Sequence, residues 1–202
     1  ADLGLSDSQL GLLTGFAFAV FYVTAGIPIA RWADHANRRN IVAGSLFIWS
    51  FMTALSGLVQ NYAQLVLARI GVGIGEAGGS PPSHSIISDI FPPNRRATAL
   101  GFYSTGVSFG ILFGFLFGGW LNEFFGWRVA FMVVGIPGVF LAAILMLTLR
   151  EPTRGMIEQR TASTEAVPLG TVIKTLWDSR TFRHLSLAAS LNAFSTVDNA
   201  PS

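Results

Sequence analysis

Three stretches of this chain, Gly11 to Ala30, Ile41 to Val59 and Ala97 to Leu121, contain no charged side chain at all. A helix rising 1.5 Å per residue covers about 30 Å in twenty residues, which matches the hydrocarbon thickness of a bilayer. Two further stretches are nearly as apolar: Leu65 to Ile87, interrupted only by Arg69, Glu76 and His84, and Trp127 to Leu149, with Arg128 at its start. Five membrane-spanning helices are therefore expected. The composition agrees, because 51% hydrophobic residues, 12% charged residues and 17 phenylalanines are too apolar for an ordinary water-soluble domain.

Polar punctuation separates the five stretches. Arg31 to Arg39 is a charged turn, Asn61 and Tyr62 a short one, Asp89 to Arg96 a break containing Pro92 and Pro93, and Asn122 to Gly126 a tight turn. Between Arg150 and Arg180 the chain turns to Pro, Thr, Ser and Glu with scattered basic residues, and reads as a linker at the membrane surface, with Val172 to Trp177 lying on that surface. His184 to Val197 starts another apolar run too short for a full crossing. Asp2 to Gln9 lacks the basic and apolar regions of a signal peptide. Of the 13 Lys and Arg residues, all but Arg69 and Arg128 fall in or beside one alternating set of loops. The positive-inside rule makes that set cytoplasmic and turns the amino end, the Asn61 turn and the Asn122 turn outward.

The residue inventory excludes several chemistries. No cysteine means no disulfide framework, thiolate nucleophile or cysteine zinc site, and three scattered histidines offer no metal cluster. A net charge of +2 with no continuous basic face argues against nucleic-acid binding. Gly73-Ile74-Gly75-Glu76-Ala77-Gly78 satisfies the dinucleotide pattern GxGxxG but sits inside a spanning segment, where the strand-turn-helix context is absent. Ser83 and His84 are adjacent on a helix without an orienting acid, which does not make a hydrolase.

Glu76 is the most informative side chain, since a carboxylate in the middle of a spanning segment must face protein or water. Arg69 lies seven residues earlier on approximately the same face. The pair reads either as a polar cavity in which Glu76 exchanges a proton for a cation, or as a structural salt bridge; Arg69 also suits an anionic group of a solute. Pro81 and Pro82, with Ser80, Ser83, His84 and Ser85, mark either a solute-lined bend or a kink whose hydroxyls satisfy free carbonyls. Gly71, Gly75 and Gly79 form one small-residue stripe and Gly106, Gly110, Gly114 and Gly118 another, read as close helix packing or as surfaces on which helices slide. Asp34 with Arg38 and Arg39, and Asp89 with Arg95 and Arg96, make two acidic-to-basic clusters that either pair across helix ends as a gate or only solvate the turns. Trp127 and Arg128 fit an outer-interface anchor with a snorkelling cation.

At these residues the chain resembles the major facilitator superfamily. Gly26 to Arg39 is similar to its signature after the second helix, with Asp34, Arg38 and Arg39 at the charged positions and Arg31, His35 and Asn37 departing from the common pattern. Arg69, Gly73 and Gly75 resemble the fourth-helix signature, and Gly106 to Gly118 the fifth-helix packing pattern without its usual Gly-Pro step. More narrowly, Gly73 to Ala77, Ile87 to Pro92, Trp127-Arg128, Gly135 to Gly138 and Arg150-Glu151-Pro152-Thr153-Arg154-Gly155 look like the bacterial spinster-like branch.

The resemblance implies an all-α membrane protein of the major facilitator fold, in which two six-helix bundles rock about a central cavity. In that register, residues 1–150 are helices 2 to 6 of the amino-terminal bundle, 151–182 the cytoplasmic central linker and 183–202 the start of helix 7. Helix 1 and most of the carboxy-terminal bundle then lie outside this sequence. The implied activity is secondary transport rather than catalysis, with no cofactor and no metal. The solute is an amphiphile such as a lysophospholipid, with a small organic acid, a sugar or a drug-like compound as the alternative and a proton as the candidate coupling ion. By the same analogy Glu76, with Arg69, Ser83 and His84, belongs to the substrate or coupling site, and Asp34, Arg38, Arg39, Asp89 and Arg96 to a cytoplasmic gate. The expected partners are membrane lipids, the solute and the carboxy-terminal bundle of the same chain, in a cell inner membrane with the amino end periplasmic.

Overall fold

The first charge-free stretch is one helical path: a π-helical turn, Leu12–Phe16, leads directly into α1 (Ala17–His35). The computed structural model describes residues 3, 4, 6, 9, 11–157 and 168–198, and among these there are helices and no strand. The expected turn residues act as caps. Asn37 accepts the Asn40 N–H at 3.0 Å and starts α2 (Arg38–Ser56), and Asn61 accepts the Gln64 N–H at 3.0 Å and starts α3 (Tyr62–Ala77).

The single helix expected over Leu65 to Ile87 is in fact two, α3 and α4 (Ser80–Ile90), separated at Gly78 and Gly79. Pro81 and Pro82 have no N–H to return to the carbonyls four residues earlier, so the helix restarts with them in its first turn. Next comes α5 (Pro93–Thr148), 56 residues long and broken only at Gly126. There φ is +80° and ψ 161°, a backbone conformation open to glycine and strained for other residues. The turn expected over five residues is thus one residue wide, between a first arm, 93–125, and a second arm, 127–148.

Helix α2 is the centre of the bundle, packed on α3 along one side and on the second arm of α5 along the other. Glycine makes both approaches close. A Cβ at Gly75 would lie 2.6 Å from the Trp49 backbone nitrogen, and one at Gly71 2.7 Å from Met52 Cγ. At Gly135 it would lie 2.5 Å from the Ala54 nitrogen and 2.7 Å from the Ser50 carbonyl oxygen. Backbone cannot step aside as a rotamer can, so Gly135→Ala is expected to destabilise the protein by about 1–3 kcal/mol. A lowered thermal unfolding midpoint of the full-length protein in detergent checks this; an unchanged midpoint contradicts it.

The second glycine stripe behaves differently. A Cβ at Gly106, Gly110, Gly114 or Gly118 meets nothing within 4 Å, so the expected packing is not made among the described residues. The cause is visible in the first arm, whose side chains are almost all exposed, Phe102 and Phe115 at 81%. Among the described residues α5, two helices joined at Gly126, is the one that is both long and apolar enough to cross a membrane by that measure alone. Helices α1 and α2 have 19 residues each, but α1 closes on Arg31, Asp34 and His35 and α2 opens on Arg38 and Arg39, which shortens their apolar windows.

A second compact unit follows residue 160. It contains α6 (Leu169–Asp178) and α7 (Arg180–Asp198), meeting at Ser179. Val172, Ile173, Leu176 and Trp177 are exposed along α6, the apolar face of a surface-seeking helix. Helix α7 starts four residues before His184, because the Ser179 hydroxyl accepts the Phe182 N–H at 3.3 Å and caps it there. The linker stretch 158–167, with Arg160, lies outside the described residues.

Candidate functional site

The charged turns gather at one end of the bundle around a single buried cation. Arg38, the first residue of α2, is 1% exposed and spends its whole donor fork on the protein. Its Nη1 donates to Asp89 Oδ2 and, at 2.8 Å, to Ser85 Oγ on α4. Its Nε donates to Glu151 Oε1 at 2.7 Å and its Nη2 to the Pro152 carbonyl at 3.0 Å, just after α5. The two carboxylates are completed by backbone: Gly155 N–H reaches Asp89 Oδ1 at 3.0 Å, and Arg39 N–H reaches Glu151 Oε2 at 2.8 Å. Arg154 Nη2 then binds the Ala33 and Ala36 carbonyls at 2.7 and 2.6 Å, closing the end of α1. Four segments are tied together by two side chains.

Burial works against ionisation of Glu151, but the Arg39 N–H and the Arg38 guanidinium outweigh it and hold the carboxyl below its ordinary range. A depressed carboxylate stabilises the fold at pH above its unfolded-state value. That contribution is present at neutral pH and disappears as pH falls through the folded-state value, below the ordinary carboxylate range.

Of the two readings of the acidic-to-basic clusters, pairing across helix ends is the one seen, and it runs from one cluster to the other, Arg38 to Asp89. Arg38 does not pair with Asp34, which is exposed and has no ion pair among the described residues, because the break at Ala36 and Asn37 carries the two apart. Arg39 contributes its backbone N–H, while its Nε turns to Asn40 Oδ1 at 3.0 Å. Arg96 donates to the Ser88 and Phe91 carbonyls at 2.7 and 3.0 Å and so fastens the end of α4. Glu151, Arg154 and Gly155 are members of the cluster that candidate-by-candidate reading missed. The motif Arg150 to Gly155 was their only signal, and Glu151 is 113 residues from Arg38 in the chain.

Glu76 stands on α3 between residues that pack on both neighbours. Gly73 approaches Phe18 of α1, and Gly71 and Gly75 approach α2, whereas the Glu76 side chain is exposed. Arg69 is half-buried, with its guanidinium 5.8 Å from the centre of the Phe18 ring. Arg69 and Glu76 form no ion pair; two helical turns, about 10.5 Å of rise, separate their backbones. Ser83 Oγ donates to the Gly79 carbonyl at 2.7 Å, as the kink reading anticipates, and exposed His84 stands edge-on to Tyr103 at 5.2 Å. Neither contacts Glu76 in these interactions.

At the opposite end Arg128 donates to the Gly57 carbonyl at 3.3 Å and to the Val59 carbonyl, with its guanidinium 4.4 Å from the Trp127 ring. It therefore closes the end of α2. Leu13, Val59, Leu65 and Ala68 form the buried apolar cluster beside it.

Comparison with known proteins agrees with this architecture. The sequence model of the Major Facilitator Superfamily matches residues 1–198. An MFS-type efflux pump of Mycolicibacterium smegmatis is 40% identical over 146 residues, 72% of this chain and 34% of the relative. A probable L-galactonate transporter of Escherichia coli is 34% identical over 70% of this chain and 31% of its own length. The sphingosine-1-phosphate transporter SPNS2 of Danio rerio is 30% identical over 200 residues, 95% of this chain and 39% of the relative. Among solved structures, a bacterial homolog of the human lysosomal transporter Spinster, inward-facing and occupied, superposes with a TM-score of 0.66 at 43% identity, covering 81% of this chain and 41% of that one. The chain thus spans roughly a third to two fifths of the length of the proteins it matches.

Proposed function

Because the chain belongs to the Major Facilitator Superfamily, and is therefore part of an integral membrane protein, we propose that the complete protein is a secondary transporter working by alternating access on an amphiphilic solute such as a lysophospholipid. The observation that carries the reading is the exposed Glu76 on a helix otherwise packed on both sides. In a protein with a second bundle, that face is the wall of the cavity between the two. A carboxylate there changes the energetic balance of the loaded and empty states when it takes or releases a proton. Arg69 on the same helix suits the anionic group of the solute, and similarity to a sphingosine-1-phosphate transporter over 95% of the chain supports an amphiphile.

The basic end is the cytoplasmic side in this reading, in an inner membrane, with the amino end periplasmic and residues 151–182 as the linker. The Arg38 cluster is then a latch that holds the cytoplasmic end of the amino-terminal bundle as one body. Exposed Asp34 is left to engage the carboxy-terminal bundle when that side closes.

A second reading, a carrier of small organic acids, is favoured by the 34% identity to the probable L-galactonate transporter. Counterflow decides between them. The full-length protein in proteoliposomes loaded with unlabelled lysophospholipid is expected to accumulate labelled lysophospholipid and to ignore external L-galactonate. Exchange of labelled for unlabelled L-galactonate in the same assay, with no lysophospholipid exchange, overturns the amphiphile in favour of the acid.

A further inference from the structure

Where α4 meets the first turns of α5, a cavity of about 710 Å³ is lined by Ile87, Phe91, Arg95, Thr98, Phe102 and Tyr103, among others. Its walls are apolar over most of their area, and Tyr103 is held in place by the edge of His84. Arg95 is the cation on this wall, and it is exposed. Among the described residues no hydrogen bond or ion pair reaches its side chain, whereas Arg38 is taken up by Asp89 and Glu151 and Arg154 by two carbonyls. The nearby acid Asp89 is itself occupied by Arg38 and the Gly155 N–H.

A guanidinium beside an apolar wall is complementary to one kind of molecule, an anion carrying a hydrocarbon chain. A guanidinium fork matches phosphate oxygens, and aromatic and aliphatic walls match the chain. We propose that this cavity binds an anionic phospholipid from the leaflet at the basic end of the bundle, its phosphate on Arg95 and the start of an acyl chain along Phe102 and Phe91. A soluble anion has no use for the apolar walls. Phe102, 81% exposed, and Phe91 give the cavity its aromatic wall. The site is separate from Glu76 and does not depend on what the protein transports. It adjoins the end of α4 that carries Asp89, so an occupied site braces the helix on which the Arg38 cluster is built.

The test uses the full-length protein in detergent, with dioleoyl phosphatidylglycerol and dioleoyl phosphatidylcholine as probes and native mass spectrometry as the readout. One surface cation contributes enough to hold an anionic lipid about five-fold more tightly. Arg95→Gln is therefore expected to weaken phosphatidylglycerol binding about five-fold and to leave phosphatidylcholine unchanged, while Arg95→Lys keeps most of the phosphatidylglycerol binding. Phe102→Ser is expected to weaken both lipids. Equal phosphatidylglycerol binding in wild type and Arg95→Gln overturns the proposal. So does an equal loss in Arg150→Gln, which removes an exposed cation from the same end outside the cavity.

Discussion

Arg38→Ala is expected to lower the stability of the full-length protein by about 3 kcal/mol, the low end of the range for breaking a buried ion pair from one side. Asp89 and Glu151, 15% and 22% exposed, would be left facing each other without their cation, and water relieves only part of that repulsion. Ser85 Oγ and the Pro152 carbonyl lose their donor at the same time. Lysine in place of arginine keeps the charge but not the fork that reaches four groups at once, so Arg38→Lys is expected to fall between wild type and alanine. Thermal unfolding in detergent measures both. A loss under about 1 kcal/mol for alanine would place the cluster with ordinary surface ion pairs and remove the latch. As pH falls below the ordinary carboxylate range the wild-type protein should lose the Glu151 share of its advantage over the alanine variant, since the depressed carboxyl protonates there.

Glu76→Gln is expected to have the opposite profile, a large effect on driven transport with little effect on stability. The side chain is exposed and no ion pair ties it down among the described residues, so its replacement costs the amino-terminal bundle no salt bridge. Glutamine cannot release a proton, and an imposed pH gradient should no longer accelerate flux, while solute exchange at equal pH persists. Unchanged gradient-driven flux in Glu76→Gln would end its proposed coupling role. A collapse of the unfolding midpoint would instead make Glu76 a structural residue.

The two sites differ in how far the sequence discloses them. Glu76 stands out as a candidate because the cost of a carboxylate in a spanning segment is a local property, readable from twenty neighbouring residues. The breaks at Asn37, Asn61, Pro81-Pro82 and Gly126 are legible for the same reason, since caps, prolines and positive φ act within a few residues. The Arg38 cluster is not local. Within the sequence Arg38 has Asp34 four residues before it and Asp89 has Arg95 and Arg96 just after, so each turn holds partners of its own. Tertiary packing of α4 and of the segment after α5 against the start of α2 replaces those partners with Asp89, Glu151 and Gly155. Charge sequence alone has no way to choose among acids that all lie at the same end of the bundle.

Glycine periodicity shows a related limit. Gly71 and Gly75 occur at the same four-residue spacing as Gly106, Gly110 and Gly114, yet the first pair touches Met52 and Trp49 and the second set touches nothing within 4 Å. Spacing identifies a face on which helices can approach closely, and only the fold says whether a helix is there.

The claim that joins these observations is solute movement through a cavity bordered by Glu76. Its most direct measurement is lysophospholipid flux by the full-length protein in proteoliposomes, followed with and without an imposed proton gradient. The account predicts saturable flux that the gradient accelerates in wild type and not in Glu76→Gln. Inserted, folded protein that moves no lysophospholipid under either condition would contradict it.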